Sequence, residues 1–216
     1  MQTAVERAFT SLVVLLSLSA QPFAFEVPLS DQTIREAYFI GQHHDSSTKA
    51  ALDSYIHHLA APKTGPYISE IRLLTPYAQV IDISNSQSSG YSAQQAAADY
   101  RSRSDTILVR VRIEFTYTYG LLEAGNDTKA FGSEKGIKIR QEDFWKAFRV
   151  GLSQKHDWID PLSLEGEATY SDNGMDGALI WLVCDAHDVA SEPTSVEVFT
   201  PDGQHVVTTF DLSTLR

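Results

Sequence analysis

The chain reads as an α+β protein, mainly antiparallel sheet in a sandwich-like arrangement, with an N-terminal helical pair and single helices inserted later. Three observations predict this. Apolar residues recur at helical spacing from Ile34 to Leu59. Thr106 to Tyr119 alternates between apolar and polar residues, with Leu108 the exception. The remaining strand-like runs come in hairpin-like groups rather than in a regular βαβ order.

Ahead of the fold lies an address. Met1 to Arg7 is a short polar start with one cation, and Ala8 to Ala20 is an apolar run without a charge. Small residues close the run, so residues 1–24 read as a secretory signal peptide, with Ala20 and Ala24 as cleavage positions. The run is too short to cross a hydrocarbon layer of roughly 30 Å comfortably, and Pro22 discourages a longer helix. Residues 25–216 are then expected to form one α+β domain without a transmembrane segment.

Removing residues 1–24 takes away one acid, Glu6, and one base, Arg7, and leaves the net charge at −11. Such an acidic chain repels phosphate backbones, which argues against nucleic acid as a partner. The lone cysteine, Cys184, rules out an intramolecular disulfide. A chain of about 190 residues buries roughly 70% of its unfolded surface without such staples. A disulfide-free exported protein points to a bacterial periplasm or cell exterior.

Ser30 is placed to cap the first helix, with Asp31 in its positive first turn and Leu29 stapling onto Ile34. Leu52, Tyr55, Ile56 and Leu59 predict a second helix, stopped by Pro62. Ile68 to Thr75 and Gln79 to Ser84 read as strands broken at Pro76. Ser92 with Gln95 marks a capping box opening a short helix. Ile107, Val109, Val111 and Ile113 alternate with Arg110, Arg112 and Glu114, which predicts the longest strand, one face buried and one wet. Gln141 to Ser153 carries Phe144, Phe148 and Leu152 at helical spacing. Leu164 to Tyr170 and Ala178 to Cys184 read as strands, the second apolar throughout, as for a central strand covered on both faces. Val196 to Thr200 and His205 to Leu212 close the chain as a hairpin around Pro201-Asp-Gly203.

Seven histidines make zinc the first chemistry to consider. His43, His44 and Asp45 share the joint after the first helix, and His187-Asp188 follows the apolar strand. Both His-Asp pairs resemble metal-ligand pairs of helical phosphohydrolases, but a strand-rich context does not supply that setting. His57 and His58, adjacent on a helix, would diverge by about 100° and could not share an ion. Cys184 with His187 raises a thiol–imidazole pair, which requires an exposed thiol of depressed pKa. Ser171 to Gly177 places Asp172, Asp176 and Gly177 like part of a calcium loop, but lacks the acidic ligand at its end. No nucleophile elbow, P-loop or dinucleotide fingerprint is present, and no cofactor is evident. Tyr117, Tyr119, Trp145 and Trp158 are the aromatic residues placed to form a carbohydrate or peptide surface.

Together these features predict a non-enzymatic exported domain binding a protein or cell-envelope component. An extracytoplasmic hydrolase, with or without a metal, is the alternative. N-terminal sequencing of the exported protein is expected to start at Gln21 or Phe25. An intact Met1 on exported protein contradicts the signal-peptide assignment.

Overall fold

In the computed structural model the described residues are 25–87, 90–117, 142–172 and 174–216. The signal-peptide assignment and the whole of residues 118–141 lie outside them.

Helix α1 (Asp31–Gln42) starts where the sequence places it, with Ser30 Oγ accepting from the Thr33 amide at 3.2 Å. Helix α2 (Ser46–Asp53) is capped by Asp45 and is shorter than expected. Past it the chain extends into β1 (Ile56–His58), which pairs with β2 (Pro66–Leu74). The Tyr55 carbonyl accepts from Leu73, and the Leu59 amide donates to Ser69. Pairing to a neighbouring strand therefore overrides helical spacing in a segment whose Tyr and Ile also favour strands. His57 and His58 consequently sit on opposite faces of an edge strand, not at a helix end.

A second correction falls on Gln79 to Ser84. These residues belong to helix α3 (Pro76–Ser86), with Thr75 as N-cap and Pro76 at its start. Proline stops a strand but is equally suited to the first turn of a helix, where its missing N–H costs nothing. Tyr77, Ala78, Val80, Ile81 and Ser84 are buried, which is a helical stripe. Helix α4 (Ala93–Arg101) has the expected capping box between Ser92 and Gln95.

Strand β3 (Thr106–Phe115) obeys its alternation: Ile107, Val109, Val111 and Ile113 are fully buried. It ends before Tyr117, which is 78% exposed, and Tyr119 lies outside the described residues. It is not the longest strand either; β3 has 10 residues, against 11 in β6 (Pro161–Ser171) and 12 in β7 (Gly174–Asp185).

The helix expected over Gln141–Ser153 is instead a 3-10 turn at Phe144–Ala147 followed by β4 (Arg149–Gln154). Phe148, just ahead of the strand, and Leu152 within it reach the core as well as they would from a helix, so their spacing did not discriminate. Val150 and Gly151 between them disfavour the helix. A tight turn at Lys155 and His156, both with positive φ (49° and 75°), leads into β5 (Asp157–Ile159). β8 (Pro193–Phe199) and β9 (His205–Asp211) form the closing hairpin, with Gly203 at φ 87° in its turn.

The nine strands make two antiparallel sheets among the described residues: a five-stranded sheet in the order β1-β2-β3-β7-β6 and a four-stranded sheet in the order β5-β4-β8-β9. Ile71, Val111 and Ile180 are in register across the first, with Leu73, Val109 and Leu182 in the next row. These side chains share one hydrophobic cluster with Leu152, Val196, Val198 and Phe210 of the second sheet. His57 of β1 meets Phe210 of β9 edge-on at 4.7 Å, which ties the two inner faces together at one end.

The outer face of the five-stranded sheet carries the polar set of β2 and β3. Arg72 grips the Glu70 carboxylate with two nitrogens. Burial pushes that carboxyl up, but the bonds and charge of Arg72, with help from Arg110 and His58, hold it below its usual value. Arg110 is half-buried rather than exposed, and burial lowers its pKa. Leu108, the one apolar residue of this face of β3, pairs with buried Leu74. Helix α3 is fastened at that end, where the Gln79 amide donates to the carbonyls of Leu74 (3.1 Å) and Thr106 (2.7 Å).

Strand β7 lies between β3 and β6, but it is not covered on both faces. Ala178, Ile180, Leu182 and Cys184 are buried, whereas Leu179, Trp181 and Val183 are half-exposed. Ile180→Ala is therefore expected to destabilise the protein by about 2–5 kcal/mol, and Trp181→Ala by less. Urea unfolding of both variants checks this, and the opposite ranking would reverse the face assignment.

Candidate functional site

The histidines and acids singled out from the sequence do not converge. Asp45 spends its carboxylate on the helix cap, accepting from the Ser47 amide (2.7 Å) and hydroxyl (2.6 Å), and these bonds lower its pKa. His43 is exposed, with Nδ1 3.1 Å from Ser47 Oγ, and His44 takes a positive φ of 51° at the joint. His187 and Asp188 belong to a 3-10 turn in which Asp185 accepts from the His187 amide at 2.9 Å. His187 Nε2 is 3.7 Å from Asp105. Among the described residues no three His, Cys, Asp or Glu side chains are grouped to hold a metal ion. The calcium-like stretch is the β6–β7 hairpin turn, and its Gly177 sits within β7, paired with Glu114 and Thr169.

Cys184 points into the core and is fully buried, while His187 is exposed. Burial, and secondarily Asp188, pushes the thiol up to about 11. A thiol–imidazole nucleophile requires the opposite shift.

A Ser, a Glu and a His do meet on the outer face of the four-stranded sheet, a grouping the sequence reading did not find. Ser153 Oγ donates to Glu197 Oε1 at 2.8 Å, and His205 Nε2 lies 2.8 Å from Glu197 Oε2. The order is wrong for nucleophilic catalysis, where the imidazole must stand between hydroxyl and carboxylate. Here the carboxylate is central, and Ser153 is 5% exposed. The arrangement instead fixes the orientation of a partly exposed carboxylate.

Around it the outward-facing residues form ordered rows. Arg149, Phe199 and His205 are in register on β4, β8 and β9. The Arg149 guanidinium lies over the Phe199 ring at 4.8 Å, and the His205 ring stacks on Phe199 at 4.2 Å and 7°. Trp158 of β5 folds across Gly151, where any Cβ would overlap the indole, and it remains 53% exposed. The alternation of Val196 and Val198 with Glu197 and Phe199 was the sequence signal for this face.

The second notable surface is the β6 edge. Among the described residues β6 pairs on one side only, with β7. Leu162 (61%), Leu164 (43%) and Tyr170 (57%) are exposed along it. Trp145 lies against Gly166, and a shallow groove runs between Trp145, Ala168 and Tyr170, with Glu142 bonded to the Tyr170 hydroxyl at 3.0 Å. Glu165 and Glu167, exposed on this strand, form no ion pair with a described residue. Thus Trp145 and Trp158 serve two separate surfaces, while Tyr117 joins neither.

No family model matches the chain, and no curated protein matches its sequence. No helix among the described residues is long and apolar enough to cross a membrane.

The buried, neutral thiol gives a direct check on the site geometry. Cys184 is expected to resist iodoacetamide at pH 8 in the folded protein and to react within minutes in denaturant. Rapid alkylation of the native protein would place it at an exposed, activated position.

Proposed function

We propose that this chain is an exported, non-enzymatic binding domain that captures an extended segment of a partner protein by strand addition to β6. The single observation that carries the reading is the β6 edge, 11 residues long and without a partner strand among the described residues, with Leu162, Leu164 and Tyr170 exposed. An unpaired row of backbone donors and acceptors is a template for another strand unless the protein blunts it. β6 lacks two common blunting devices, lysines and shortness, and its proline and bulges lie at its two ends, which leaves the regular stretch from Ser163 to Thr169 as the template.

The chemistry of the edge selects the occupant. An added strand alternates its side chains between the two faces. One set would meet Leu164 and Trp145, and the other would meet Glu165 and Glu167. The partner segment is therefore extended, with apolar residues on one side and lysine or arginine on the other. Export, read from residues 1–24, and the acidic net charge of −11 agree with a basic partner outside the cytoplasm. The central-carboxylate order of Ser153, Glu197 and His205 argues against the hydrolase alternative.

A synthetic peptide of about eight residues alternating Val and Lys, the span of an ordinary strand, tests the reading. Hydrogen exchange should show the outward amides of β6 unprotected in the free protein and protected in the complex. Leu164→Lys should weaken binding by about tenfold through lost apolar contact with the valine side chains, and a Val–Glu peptide, whose glutamates would face Glu165 and Glu167, should also bind more weakly. Protection that appears elsewhere, or affinity unchanged by Leu164→Lys, defeats the assignment.

A further inference from the structure

The outer face of the four-stranded sheet is a second, independent surface. Its geometry points to a binding site for a neutral glycan, in which a pyranose ring stacks on Trp158 and its hydroxyls bond to Glu197 and the neighbouring polar groups. A pyranose presents an apolar C–H face and a rim of hydroxyls. It is complementary to a flat aromatic surface bordered by fixed hydrogen-bond acceptors.

Each part of that complement is present. Trp158 is 53% exposed, and the edge of its ring reaches into the space that a side chain at Gly151 would take. Gly151 pairs with Glu197 across the strands, so the carboxylate stands beside the indole. Glu197 is 18% exposed, and Ser153 and His205 each hold one of its oxygens at 2.8 Å. Each oxygen keeps a lone pair for a ligand hydroxyl. On the other side of Trp158 a cleft opens that is lined by Gln154, Asp157, Asp160 and Asp188, with Lys155 paired to Glu192 at 2.5 Å. Carboxylates on both flanks accept from hydroxyls and repel acidic sugars, and Arg149, the cation of this face, is held over the Phe199 ring at 4.8 Å, so the charge balance beside Trp158 favours a neutral glycan.

The same geometry distinguishes a sugar from a quaternary ammonium ion, the other ligand an aromatic–carboxylate pair attracts. An ammonium site needs several aromatic faces turned toward one point. Here Phe199, 6.4 Å from Trp158 and tilted by 41°, has Arg149 over its ring and His205 stacked on it. Among the described residues Trp158 is the ring of this group with neither a guanidinium nor an imidazole against it. A single exposed ring accommodates a sugar ring and does not surround a cation.

Cellohexaose, chitohexaose, xylohexaose and mannohexaose, titrated against the folded protein by calorimetry and by NMR of the indole N–H, test the inference. At least one is expected to bind and to shift the Trp158 resonance. Trp158→Ala should lower that affinity by about tenfold or more, the loss of one stacked ring, and Trp158→Tyr should retain part of it. Because Trp158 is largely exposed, both variants are expected to keep the wild-type circular dichroism. Leu164→Lys, at the β6 edge, should leave glycan binding unchanged, so failure of the strand-addition reading and failure of this one are distinguishable. The inference is overturned if no oligosaccharide of this set binds, if binding survives Trp158→Ala, or if tetramethylammonium binds at Trp158 and displaces the sugar.

Discussion

The rest of this structure depends on the burial of one face of β3 between β2 and β7. Ile107, Val109, Val111 and Ile113 are each fully buried and align with Ile180, Leu182 and Cys184 on one side and Ile71 and Leu73 on the other. Because side chains alternate strictly, this choice also fixes what faces outward. A slip of one residue would carry Arg110, Arg112 and Glu114 into the core, where a charge without a partner is very costly. The register of the five-stranded sheet is therefore held by a penalty as much as by attraction. The same alternation in the opposing sheet puts Leu152, Val196 and Val198 inside and Gly151, Glu197 and Phe199 outside.

The two sheets differ in width, and the difference creates an exposed edge. Leu164 of β6 is in register with Leu182 of β7, on the same inner face. Leu182 is 1% exposed, whereas Leu164 is 43% exposed. The opposing sheet therefore covers β7 but not β6. Trp145, carried by the 3-10 turn before β4, fills part of the space at Gly166 and leaves the flanking positions open. Among the described residues, an apolar inner face that continues past its cover is the physical origin of the exposed β6 edge.

Much of this was legible in the sequence where a local pattern and the tertiary demand coincide. The Ser30 and Ser92 caps, the alternation of β3 and the closing hairpin are of this kind. The errors have a common cause, because apolar spacing reports which residues are buried and not which backbone buries them. Phe144, Phe148 and Leu152 satisfy a helix as well as a strand, and Leu52, Tyr55 and Ile56 pass from helix to strand without a break in pattern. At Pro76 one residue carried both a strand stop and a helix start, and only the first was read. The site was less legible than the fold. Glu197 and His205 meet through pairing between β8 and β9, and Ser153 joins them from β4, 44 residues from Glu197. No linear spacing encodes that meeting.

Glycine within a strand weakens it, since it adds backbone freedom and supplies nothing to pack. Yet Gly151 and Gly166 occupy strand interiors, on different sheets, and each has a tryptophan laid against it: Trp158 on the first and Trp145 on the second. A Cβ at either position would occupy space now filled by indole atoms. Trp158 is held across the strand from a three-residue edge strand, Trp145 from a four-residue 3-10 turn. Neither element is long enough to hold a large ring rigidly through its own backbone. At Gly166 the glycine supplies a flat seat for the face of Trp145, whereas at Gly151 it clears room for the edge of the Trp158 ring. The two tryptophans are thereby fixed at the two surfaces where the packed core ends, each with one part of its ring still facing solvent.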